Sequence, residues 1–386
     1  MRDIYFDNNA TTALDERVLD AMLPALRHVG NPSSAHTAGQ AARRWVEAAR
    51  RQVAALLDAS PREIVFTSGS TEANNLALKG LVRGADPGRR RVISVTTEHP
   101  AILETLRALE ADGAEVVLVP VDCWGIVDLQ RLGDAVDNQT LLVTVMAANN
   151  ETGVLAPLPQ IAEIVHAHGA VLHTDATQLL AWGGVEVDAL GVDLLSLSGH
   201  KMHGPQGVGA LYLRRECSWR LAPVQHGGGH ERGIRSGTLN TAGIVGLGAA
   251  AELAVSEGAA EAPRVTALRD QLHHELGMAA SPLILNGHPV DRLPGTLNLS
   301  FPGADADAVI ASTPSVAVAT GSACSTGNPG PSHVLTAMGV GEEQAACSLR
   351  FGLSRFTTAE EITTAAALIA ESVAQVRYRQ AEAASA

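Results

Sequence analysis

The sequence is poor in positive charge. Its 28 lysine and arginine residues are outnumbered by 41 aspartate and glutamate residues, which gives a formal net charge of −13. A surface that binds nucleic acid directly needs clustered Lys and Arg to neutralise the phosphates. The acidic balance therefore argues against direct nucleic-acid binding, and any work on nucleic acid would need a partner protein.

Cysteine is scarce as well. Cys123, Cys217, Cys324 and Cys347 are widely spaced and form no CxxC pair. This spacing indicates neither a disulfide framework nor a structural zinc site, and we predict no metal site. Each cysteine must be interpreted by itself. We predict that all except Cys324 are structural, Cys347 because it lies in an apolar-flanked run.

The sequence also lacks long apolar runs. Hydrophobic residues make up 46% of the 386-residue chain, yet no uninterrupted run is long enough to cross a bilayer, and the first residues lack the apolar stretch of a signal peptide. We therefore expect a soluble, cytoplasmic protein that does not bind membranes. The length predicts two domains, because domains usually have roughly 100–200 residues.

Between residues 63 and 213, short β-rich runs alternate with helical patterns. Such alternation predicts an α/β fold with a mainly parallel sheet covered by helices. Ligands of such sheets bind beyond the carboxyl ends of the strands. The predicted strands are 63–67, 91–95, 115–119, 141–145, 170–174, 193–197 and, later in the chain, 296–301; the helical patterns include 101–111, 157–168, 241–255, 264–276 and 359–375.

A change in composition near residues 256–263 marks the predicted domain boundary. The chain beyond it mixes helical and strand patterns, which indicates an α+β unit joined by the N-terminal residues. We place a large domain at 16–255 and a small domain, which carries Cys324, at 1–15 and 256–386.

The run Thr67-Ser-Gly-Ser-Thr-Glu72 follows the first predicted strand and begins a helical pattern. Backbone N–H groups at a helix start, together with the Ser70 and Thr71 hydroxyls, can bind a phosphate group. The same pattern is common in an ordinary helix cap, so by itself it does not decide between the two interpretations.

Asp175 follows another predicted strand, and Lys201 follows the next one in Ser198-Gly-His-Lys201. A lysine can form a Schiff base with an aldehyde cofactor, while an aspartate keeps the pyridine nitrogen of that cofactor protonated so that the ring accepts electrons. An ordinary ion pair is the alternative interpretation.

His99 and the pair Asn149-Asn150 follow two further predicted strands. The carboxyl ends of parallel strands lie at one edge of a sheet, so these side chains should converge with Asp175 and Lys201. An imidazole there can stack on a cofactor ring and transfer protons, although a lone histidine after a strand is more often a capping or surface residue. The asparagines can likewise be a turn signal.

The glycine-rich run 226–238 lacks the strand–GxGxxG–helix context of a dinucleotide loop, so we reject a nicotinamide cofactor. It is either a rigid turn or, through Arg235-Ser-Gly-Thr238, a source of hydrogen-bond donors to phosphate across a subunit boundary.

Cys324 lies in a polar run rich in glycine and proline, 319–332. Inert cysteines are usually buried, whereas an exposed thiol that ionises can attack an electrophile. A flexible loop would let a persulfide travel to an acceptor. A chance placement of an inert cysteine is the alternative.

Together these motifs resemble those of the cysteine desulfurases, a branch of the fold type I pyridoxal-phosphate (PLP) enzymes. The resemblance extends over nearly the whole chain and implies a fold type I transferase, with a helix-covered sheet in a large domain and a smaller α+β domain. It rests on Phe6-Asp-Asn-Asn-Ala-Thr-Thr, Gly30-Asn-Pro-Ser-Ser-Ala-His, Thr67–Glu72, Thr97-Glu-His, Asn149-Asn-Glu, Asp175-Ala-Thr-Gln, Ser198-Gly-His-Lys, the run 227–238, Gly321-Ser-Ala-Cys and Leu349-Arg-Phe-Gly-Leu-Ser-Arg.

The resemblance also implies roles for single residues. Lys201 would hold pyridoxal 5'-phosphate as an internal Schiff base, His99 would stack on the ring, and Cys324 would accept sulfur. Thr238 would reach the phosphate bound by the partner subunit of a homodimer. The implied cofactor-binding residues are Ser70, Thr71, His99, Asn150, Asp175, Gln178, Ser198, His200, Lys201 and Thr238, and the implied substrate-binding residues are Asn31, Asn150 and Arg350.

The implied reaction converts L-cysteine to L-alanine and leaves the sulfur on Cys324 as a persulfide. An acceptor protein, either an iron–sulfur scaffold or an enzyme that modifies tRNA or DNA, would then take the sulfur. Two alternatives stay open: an enzyme that acts mainly on selenocysteine, and a non-catalytic adaptor. The long loop around Cys324 disfavours the first, and the combination of Lys201, Asp175, His99 and Cys324 disfavours the second.

One departure from the family pattern concerns the segment that precedes the Cys324 loop. The segment 303–320 is shorter than the helix and strand that the family usually has at this place. The sequence therefore leaves open how the loop is anchored.

Overall fold

A computed structural model describes residues 3–86, 88–215, 219–321 and 330–385. Cys217 and Cys324 lie outside these ranges. The strands are β1 (Ile4–Tyr5), β2 (Ile64–Thr67), β3 (Arg91–Val95), β4 (Glu115–Val119), β5 (Thr140–Thr144), β6 (Val171–Asp175), β7 (Leu194–Ser198), β8 (Gly209–Leu213), β9 (Ile284–Leu285), β10 (Thr296–Ser300), β11 (Val316–Ala317) and β12 (Ser348–Gly352).

A seven-stranded sheet forms the centre of the larger part of the protein. Its order is β2-β8-β7-β6-β5-β3-β4, and its strands run parallel except for β8, which is antiparallel to both neighbours. The central strands β5, β6 and β7 are buried throughout, because helices cover both faces of a parallel sheet. The predicted α/β fold class is confirmed.

Helices pack on both faces of this sheet and around a second unit. Each helix that the sequence pattern predicts is present, although α9 and α13 are longer than predicted. The helices are α1 (Glu16–Arg27), α2 (Thr37–Leu56), α3 (Ser70–Gly84), α4 (Pro100–Ala111), α5 (Leu129–Ala135), α6 (Leu158–Ala167), α7 (Val187–Leu190), α8 (Thr241–Leu253), α9 (Ala259–Ala279), α10 (Ala306–Ser312), α11 (His333–Ala337), α12 (Glu342–Ala346) and α13 (Ala359–Ser385).

A second hydrophobic core lies around a small antiparallel sheet in which β10 pairs with β12 and β9. Leu299 of β10 and Phe351 of β12 are fully buried there against Leu272 of α9 and Ile369 of α13. The N-terminal strand β1 pairs with β11, and Phe6 enters the same core. The start of the chain therefore packs with its last third.

One continuous helical stretch connects the two cores. A π-helical turn, Ala254–Gly258, joins α8 to α9, so the change in composition near residues 256–263 falls inside a helix. The stretch Thr241–Ala279 is long and apolar enough to cross a membrane, but half of its most apolar window is buried inside the protein. Core helices of globular proteins have the same length and composition.

The segment before the Cys324 loop has a short helix, α10, and a two-residue strand, β11. Beyond β11, Ala319 and Arg350 exchange backbone hydrogen bonds of 3.3 and 2.7 Å. The chain is thus attached to β12 two residues before Gly321, which answers how this shortened segment is anchored.

Candidate active site

Five strands of the large sheet, β2, β3, β5, β6 and β7, end at the same edge. Because these strands run in the same direction, their carboxyl ends lie at one edge of the sheet. The residues that end or follow each strand therefore lie in one region. The polar motifs of the sequence occupy these positions after β2, β3, β5, β6 and β7.

Asp175 is the last residue of β6 and is buried. Its Oδ2 accepts a hydrogen bond from Nδ2 of Asn74 on α3 at 2.7 Å, and its Oδ1 accepts one from the backbone N–H of Thr177 at 3.0 Å. The carboxylate is therefore held in one orientation by a helix and by its own turn.

Lys201 lies in a short 3₁₀ turn, Gly199–Lys201, that follows β7. Its Nζ donates to the backbone carbonyl of Ala10 at 2.7 Å and to that of Asn9. Nε2 of Gln178 donates to the same Asn9 carbonyl at 3.0 Å. The N-terminal turn thus holds Lys201 and Gln178 side by side.

His99 precedes α4 and caps it. Its Nδ1 accepts a hydrogen bond from the backbone N–H of Ala101 at 3.0 Å, so Nε2 carries the proton of the neutral ring. Burial lowers the pKa of His99; Asp175 opposes this shift, while Lys201, His333 and Arg350 add to it. The imidazole is therefore neutral at pH 7 and lies where the charges of the other site residues reach it.

The first turn of α3 faces the same region. Its N-cap is Gly69, and no side chain of the described residues caps its N–H groups, which include those of Ser70 and Thr71. A Cβ placed on Gly69 would lie 3.7 Å from Oγ of Ser198, so this hydroxyl is next to the helix start. Uncapped N–H groups and a hydroxyl at a helix N-terminus are suited to an anion such as phosphate.

His200 hydrogen-bonds through Nδ1 to the hydroxyl of Thr11 at 3.1 Å. Burial, and secondarily the charge of Lys201, lower the pKa of His200 to about 4. His200 is therefore neutral near pH 7 and acts as a hydrogen-bonding group rather than as a cation.

Arg350 comes from the smaller core, on β12, and is fully buried. One terminal nitrogen lies 2.8 Å from Oδ1 of Asp7, and the other donates to the backbone carbonyl of Asn150 at 3.1 Å. A buried guanidinium with its plane fixed in this way is suited to a planar carboxylate.

The chain matches the family model of class-V aminotransferases over residues 4–364. It is 48% identical to a cysteine desulfurase IscS of Anaeromyxobacter sp. (strain Fw109-5) over 376 residues, which cover 97% of this chain and 93% of that protein. The chain belongs to the cysteine desulfurases. The family expected from the motifs is thus confirmed.

Solved structures of similar proteins agree with this membership of the cysteine desulfurases. A NifS-like protein superposes with a TM-score of 0.89 at 38% identity, covering 96% of this chain and 98% of the other. A structure of SspA in complex with cysteine superposes with a TM-score of 0.81 at 35% identity, covering 92% of this chain and all of the other. The predicted fold type I architecture is confirmed.

Cysteine desulfurases are PLP-dependent enzymes, and the residues described above fit this cofactor. Lys201 offers the primary amine that a pyridoxal aldehyde needs, and the buried carboxylate of Asp175 suits a protonated ring nitrogen. The start of α3, which lacks a side-chain cap, suits the phosphate. PLP is therefore the cofactor of this chain, and a cysteine desulfurase is the class of enzyme to which it belongs.

The structure brings together most of the residues that the sequence predicts for this cysteine desulfurase site. Asn31 and Thr238 are exceptions, because both are exposed and neither has a recorded contact with the Lys201 region. Asn31 accepts local hydrogen bonds, from the backbone N–H of Ser33 to its side chain and from that of Ser34 to its carbonyl. Cys324 lies outside the described residues. The members that lie at or beside the sheet edge are Ser70, Thr71, His99, Asn150, Asp175, Gln178, Ser198, His200, Lys201 and Arg350.

Several residues that shape the site were not predicted to do so. Asn9 and Asp7 contact Lys201 and Arg350 from the N-terminal turn, and Asn74 contacts Asp175. Asp7 and Asn9 belong to the N-terminal motif that carries the family resemblance, which is a signal for their importance. For Asn74 the sequence gives only a weak indication of a role in the site, which is that it lies one helical turn after Thr71.

The described residues also bear on two other predictions from the sequence, about metal sites and about the cysteines other than Cys324. No cluster of three or more His, Cys, Asp or Glu there could hold a metal ion. Cys347 is buried, as its apolar neighbours predict, and Cys123 is exposed.

Proposed function

We propose that this cysteine desulfurase converts L-cysteine to L-alanine and carries the removed sulfur as a persulfide on Cys324. The observation that supports this proposal most strongly is the surroundings of His99. The charges of Asp175, Lys201 and Arg350 all act on its imidazole, although they come from two strands of the large sheet and one of the small. An imidazole that can transfer protons is thus within electrostatic reach of the predicted cofactor residues and of the predicted carboxylate-binding residue.

Lys201 and Asp175 are the proposed anchors of the cofactor. When bound, PLP supplies an electron sink that stabilises negative charge developed on the substrate. Asp175 holds the ring nitrogen protonated, and its own orientation is set by Asn74. Lys201 would hold the cofactor through Nζ, and when that amine is free it would carry protons beside the Asn9 and Ala10 carbonyls.

Substrate orientation is the proposed role of Arg350. A cysteine carboxylate would pair with the guanidinium, which the Asn150 carbonyl and Asp7 already hold in place. Because Asn150 contacts Arg350 through its backbone, its side chain is available to substrate or cofactor. We propose that Asn31 and the Asn150 side chain assist at the carboxylate.

His99 is the proposed proton donor and acceptor near the substrate sulfur. Its burial keeps it neutral at pH 7, and Nε2 is the nitrogen left for substrate or cofactor. A neutral imidazole can take up a proton and return it later in the same turnover. We also propose that its ring stacks on the cofactor.

Sulfur transfer to Cys324 is balanced without an external oxidant. The Cys324 thiolate attacks the substrate sulfur, an S–S bond forms, and the C–S bond of the substrate breaks. The electron pair of that bond stays on carbon, which takes a proton and becomes the methyl group of alanine. The thiol and cysteine therefore give a persulfide and alanine, with all atoms and electrons accounted for.

We propose a homodimer in which Thr238 reaches the phosphate in the partner subunit. Thr238 is exposed in the single chain, at the end of the glycine-rich run. That run is fastened to its own subunit by two ion pairs, Arg50–Glu231 at 2.7 Å and Glu72–Arg235 at 2.6 Å. An exposed residue in a loop that ion pairs hold in one conformation is suited to contact a second subunit.

The remaining proposals concern the protein's organisation and its acceptor. We propose that residues 16–255 form the PLP-binding domain and that residues 1–15 and 256–386 form the smaller one; the two separate hydrophobic cores support this division. We propose a cytoplasmic enzyme that hands sulfur to an iron–sulfur scaffold or a modification enzyme. The acidic net charge supports indirect rather than direct action on nucleic acid.

The test is sulfide and alanine release from L-cysteine in the presence of a thiol reductant, for the wild type and Cys324→Ala, with the absorbance of Lys201-bound PLP recorded for both. Equal amounts of sulfide and alanine, lost in a variant that keeps the PLP absorbance, are expected. Cys123→Ala is the matched control, because Cys123 is exposed and has no proposed role. Full turnover by Cys324→Ala would contradict the proposal.

A further inference from the structure

Glu151 is a buried carboxyl group that the proposed chemistry does not use. It follows Asn150 in the loop after β5 and is only 2% exposed. Its backbone N–H donates to Oδ1 of Asn149 at 2.9 Å, and this hydrogen bond holds the backbone from which the side chain extends. A buried carboxyl beside a site needs an explanation, because taking it out of water costs free energy.

The Glu151 carboxyl contacts the described residues on both sides of the 322–329 segment. Oγ of Ser332 donates to Oε2 of Glu151 at 2.5 Å. A Cβ placed on Gly321 would lie only 2.1 Å from the same oxygen, so the Gly321 backbone rests directly against the carboxyl group. One oxygen atom thus has both ends of the segment as neighbours.

Space favours glycine at position 321, because a Cβ there would force the Glu151 carboxyl away from the position in which Ser332 holds it. The backbone there is not in the left-handed region, which would favour glycine for another reason. Ser332 has a second role, because its Oγ accepts from the backbone N–H of Leu335 and caps α11. The hydroxyl is therefore held by the helix while it donates to Glu151.

Two more contacts attach the same ends to the site. Ala319 is hydrogen-bonded to Arg350, and Nε2 of His333 donates to the backbone carbonyl of Glu98 at 2.9 Å, immediately before His99. Burial raises the pKa of Glu151 to about 7, which hydrogen bonding by Ser332 and the charge of Arg350 oppose. The carboxyl group therefore does not need a full charge to keep its contacts.

We propose that Glu151 is a positioning residue for sulfur transfer, which holds Gly321 and Ser332, and with them the two ends of the segment that carries Cys324, beside the Lys201 edge of the sheet. This inference rests on the proposed role of Cys324. Glu151 does not touch the reacting atoms and acts through its two neighbours.

The first test compares Glu151→Ala with Glu151→Gln. Gln keeps the shape of the side chain and an oxygen that accepts from Ser332, whereas Ala removes both contacts. We expect Glu151→Ala to lower kcat about ten- to a hundredfold, the range that small misplacement of a reacting group produces. KM for cysteine and PLP occupancy should stay within about twofold of the wild type, and Glu151→Gln should restore kcat to within about threefold.

A merely structural role gives a different pattern. Loss of kcat, KM and PLP occupancy together in Glu151→Ala, or equal loss in Glu151→Gln and Glu151→Ala, would overturn the inference. Thermal unfolding of each PLP-loaded variant shows whether lost activity follows lost folding.

The second test uses the close approach of Gly321. In the wild type, Gly321→Ala should lower kcat at least about tenfold, because its Cβ would collide with the Glu151 carboxyl. In the Glu151→Ala background the carboxyl is absent and only Cβ of Ser332, at 3.0 Å, stays close, so Gly321→Ala should cost at most about threefold more, a non-additivity typical of residues in contact. Losses that simply multiply would show that the two residues act independently.

Cys324→Ala is measured in parallel to separate the two proposals. If Cys324→Ala keeps wild-type turnover, the proposed role of Cys324 is wrong. If Cys324→Ala is inactive while Glu151→Ala has wild-type kcat, the role of Cys324 stands and the positioning role of Glu151 is wrong.

Discussion

The two halves of the candidate active site are built in different ways. The cofactor half consists of residues that end or closely follow parallel strands, such as Asp175 at the end of β6 and Lys201 just after β7. The substrate half comes from distant parts of the chain: Arg350 from the small sheet, Asp7 from the N-terminus and Asn150 from the large sheet. The first half depends on topology, whereas the second depends on a few buried polar contacts.

Because they are built differently, the two halves of the site should respond differently to amino-acid substitutions. Strand-end residues are held by the sheet itself, so replacing a neighbour should change their position little. Buried residues such as Arg350 and Glu151 depend on specific partners, since a buried charge or hydrogen bond is costly once its partner is lost. Substitutions should therefore separate cofactor binding from substrate binding and sulfur transfer.

The largest expected effect is at Lys201. The chain has only two lysines, Lys79 and Lys201, so Lys79→Arg is a matched control. Lys201→Ala should lower the rate of alanine formation about a thousandfold or more, because it removes both the cofactor anchor and a proton carrier. Lys79→Arg should be close to wild type.

Borohydride reduction shows directly which of the two lysines binds the cofactor. It should attach the cofactor to the Lys201 peptide in the wild type and to neither lysine in Lys201→Ala, as read by peptide mass spectrometry. Attachment to Lys79, or near-normal alanine formation by Lys201→Ala, would place the chemistry elsewhere.

The next largest effect is expected at Arg350. Arg350→Lys should raise KM for cysteine about ten- to a hundredfold, because lysine cannot form a planar, two-point contact with a carboxylate. PLP occupancy should not change, since Arg350 belongs to the substrate half. Steady-state kinetics and PLP absorbance measure the two effects.

Arg269→Lys is the control for that substitution. Arg269 is also a buried arginine of the smaller unit, and it contacts the Leu293 carbonyl and the Asp270 carboxylate rather than Asp7 or Asn150, the partners of Arg350. An equal rise of KM in Arg269→Lys, or loss of PLP from Arg350→Lys, would contradict the division into two halves.

A smaller effect is expected at Asn74 in the cofactor half. Asn74→Ala removes the 2.7 Å hydrogen bond to Asp175 and should raise the dissociation constant for PLP about tenfold, the value expected for one hydrogen bond to a charged group. Asn75→Ala should leave it unchanged, because Nδ2 of Asn75 bonds only within its own helix, to the Thr71 carbonyl. PLP titration of the apo-enzyme compares the two, and equal losses would count against a special role of Asn74.

The smallest expected effect is a pH dependence of stability at Glu98. Burial raises the pKa of Glu98 well above its usual value, so the folded state holds this proton more tightly than the unfolded state. Its contribution to stability is complete below the unfolded pKa of about 4.3 and is lost as the pH rises towards the folded pKa.

Glu98→Gln should remove that dependence. From pH 5 to pH 8 the unfolding midpoint of the wild type should fall relative to that of Glu98→Gln, because the buried histidines are common to both proteins and only the wild type loses the Glu98 proton. Urea unfolding of both proteins at each pH measures this. Identical pH dependence in both proteins would mean that Glu98 does not bind an extra proton on folding.

The cofactor half was largely predictable from sequence, because apolar runs identify strands and polar motifs after them identify the sheet edge. The strands that end at Asp175 and Ser198 differ from their predicted limits by one residue. The strands β8 and β12 and the short strands β1, β9 and β11 were not predicted, since they are set by pairing with distant partners. The contacts Asp7–Arg350, Asn74–Asp175 and Glu151–Ser332 were not predictable for the same reason: each joins segments that no local pattern connects.

The most direct test of the account is the location of sulfur after a single turnover. PLP-loaded enzyme is mixed with less than one equivalent of L-cysteine without reductant, the thiols are blocked, and peptides are analysed by mass spectrometry. We predict one additional sulfur atom on the Cys324 peptide and none on the peptides of Cys123, Cys217 or Cys347. Alanine formed in equal amount with the additional sulfur on another cysteine, or on none, would contradict this prediction.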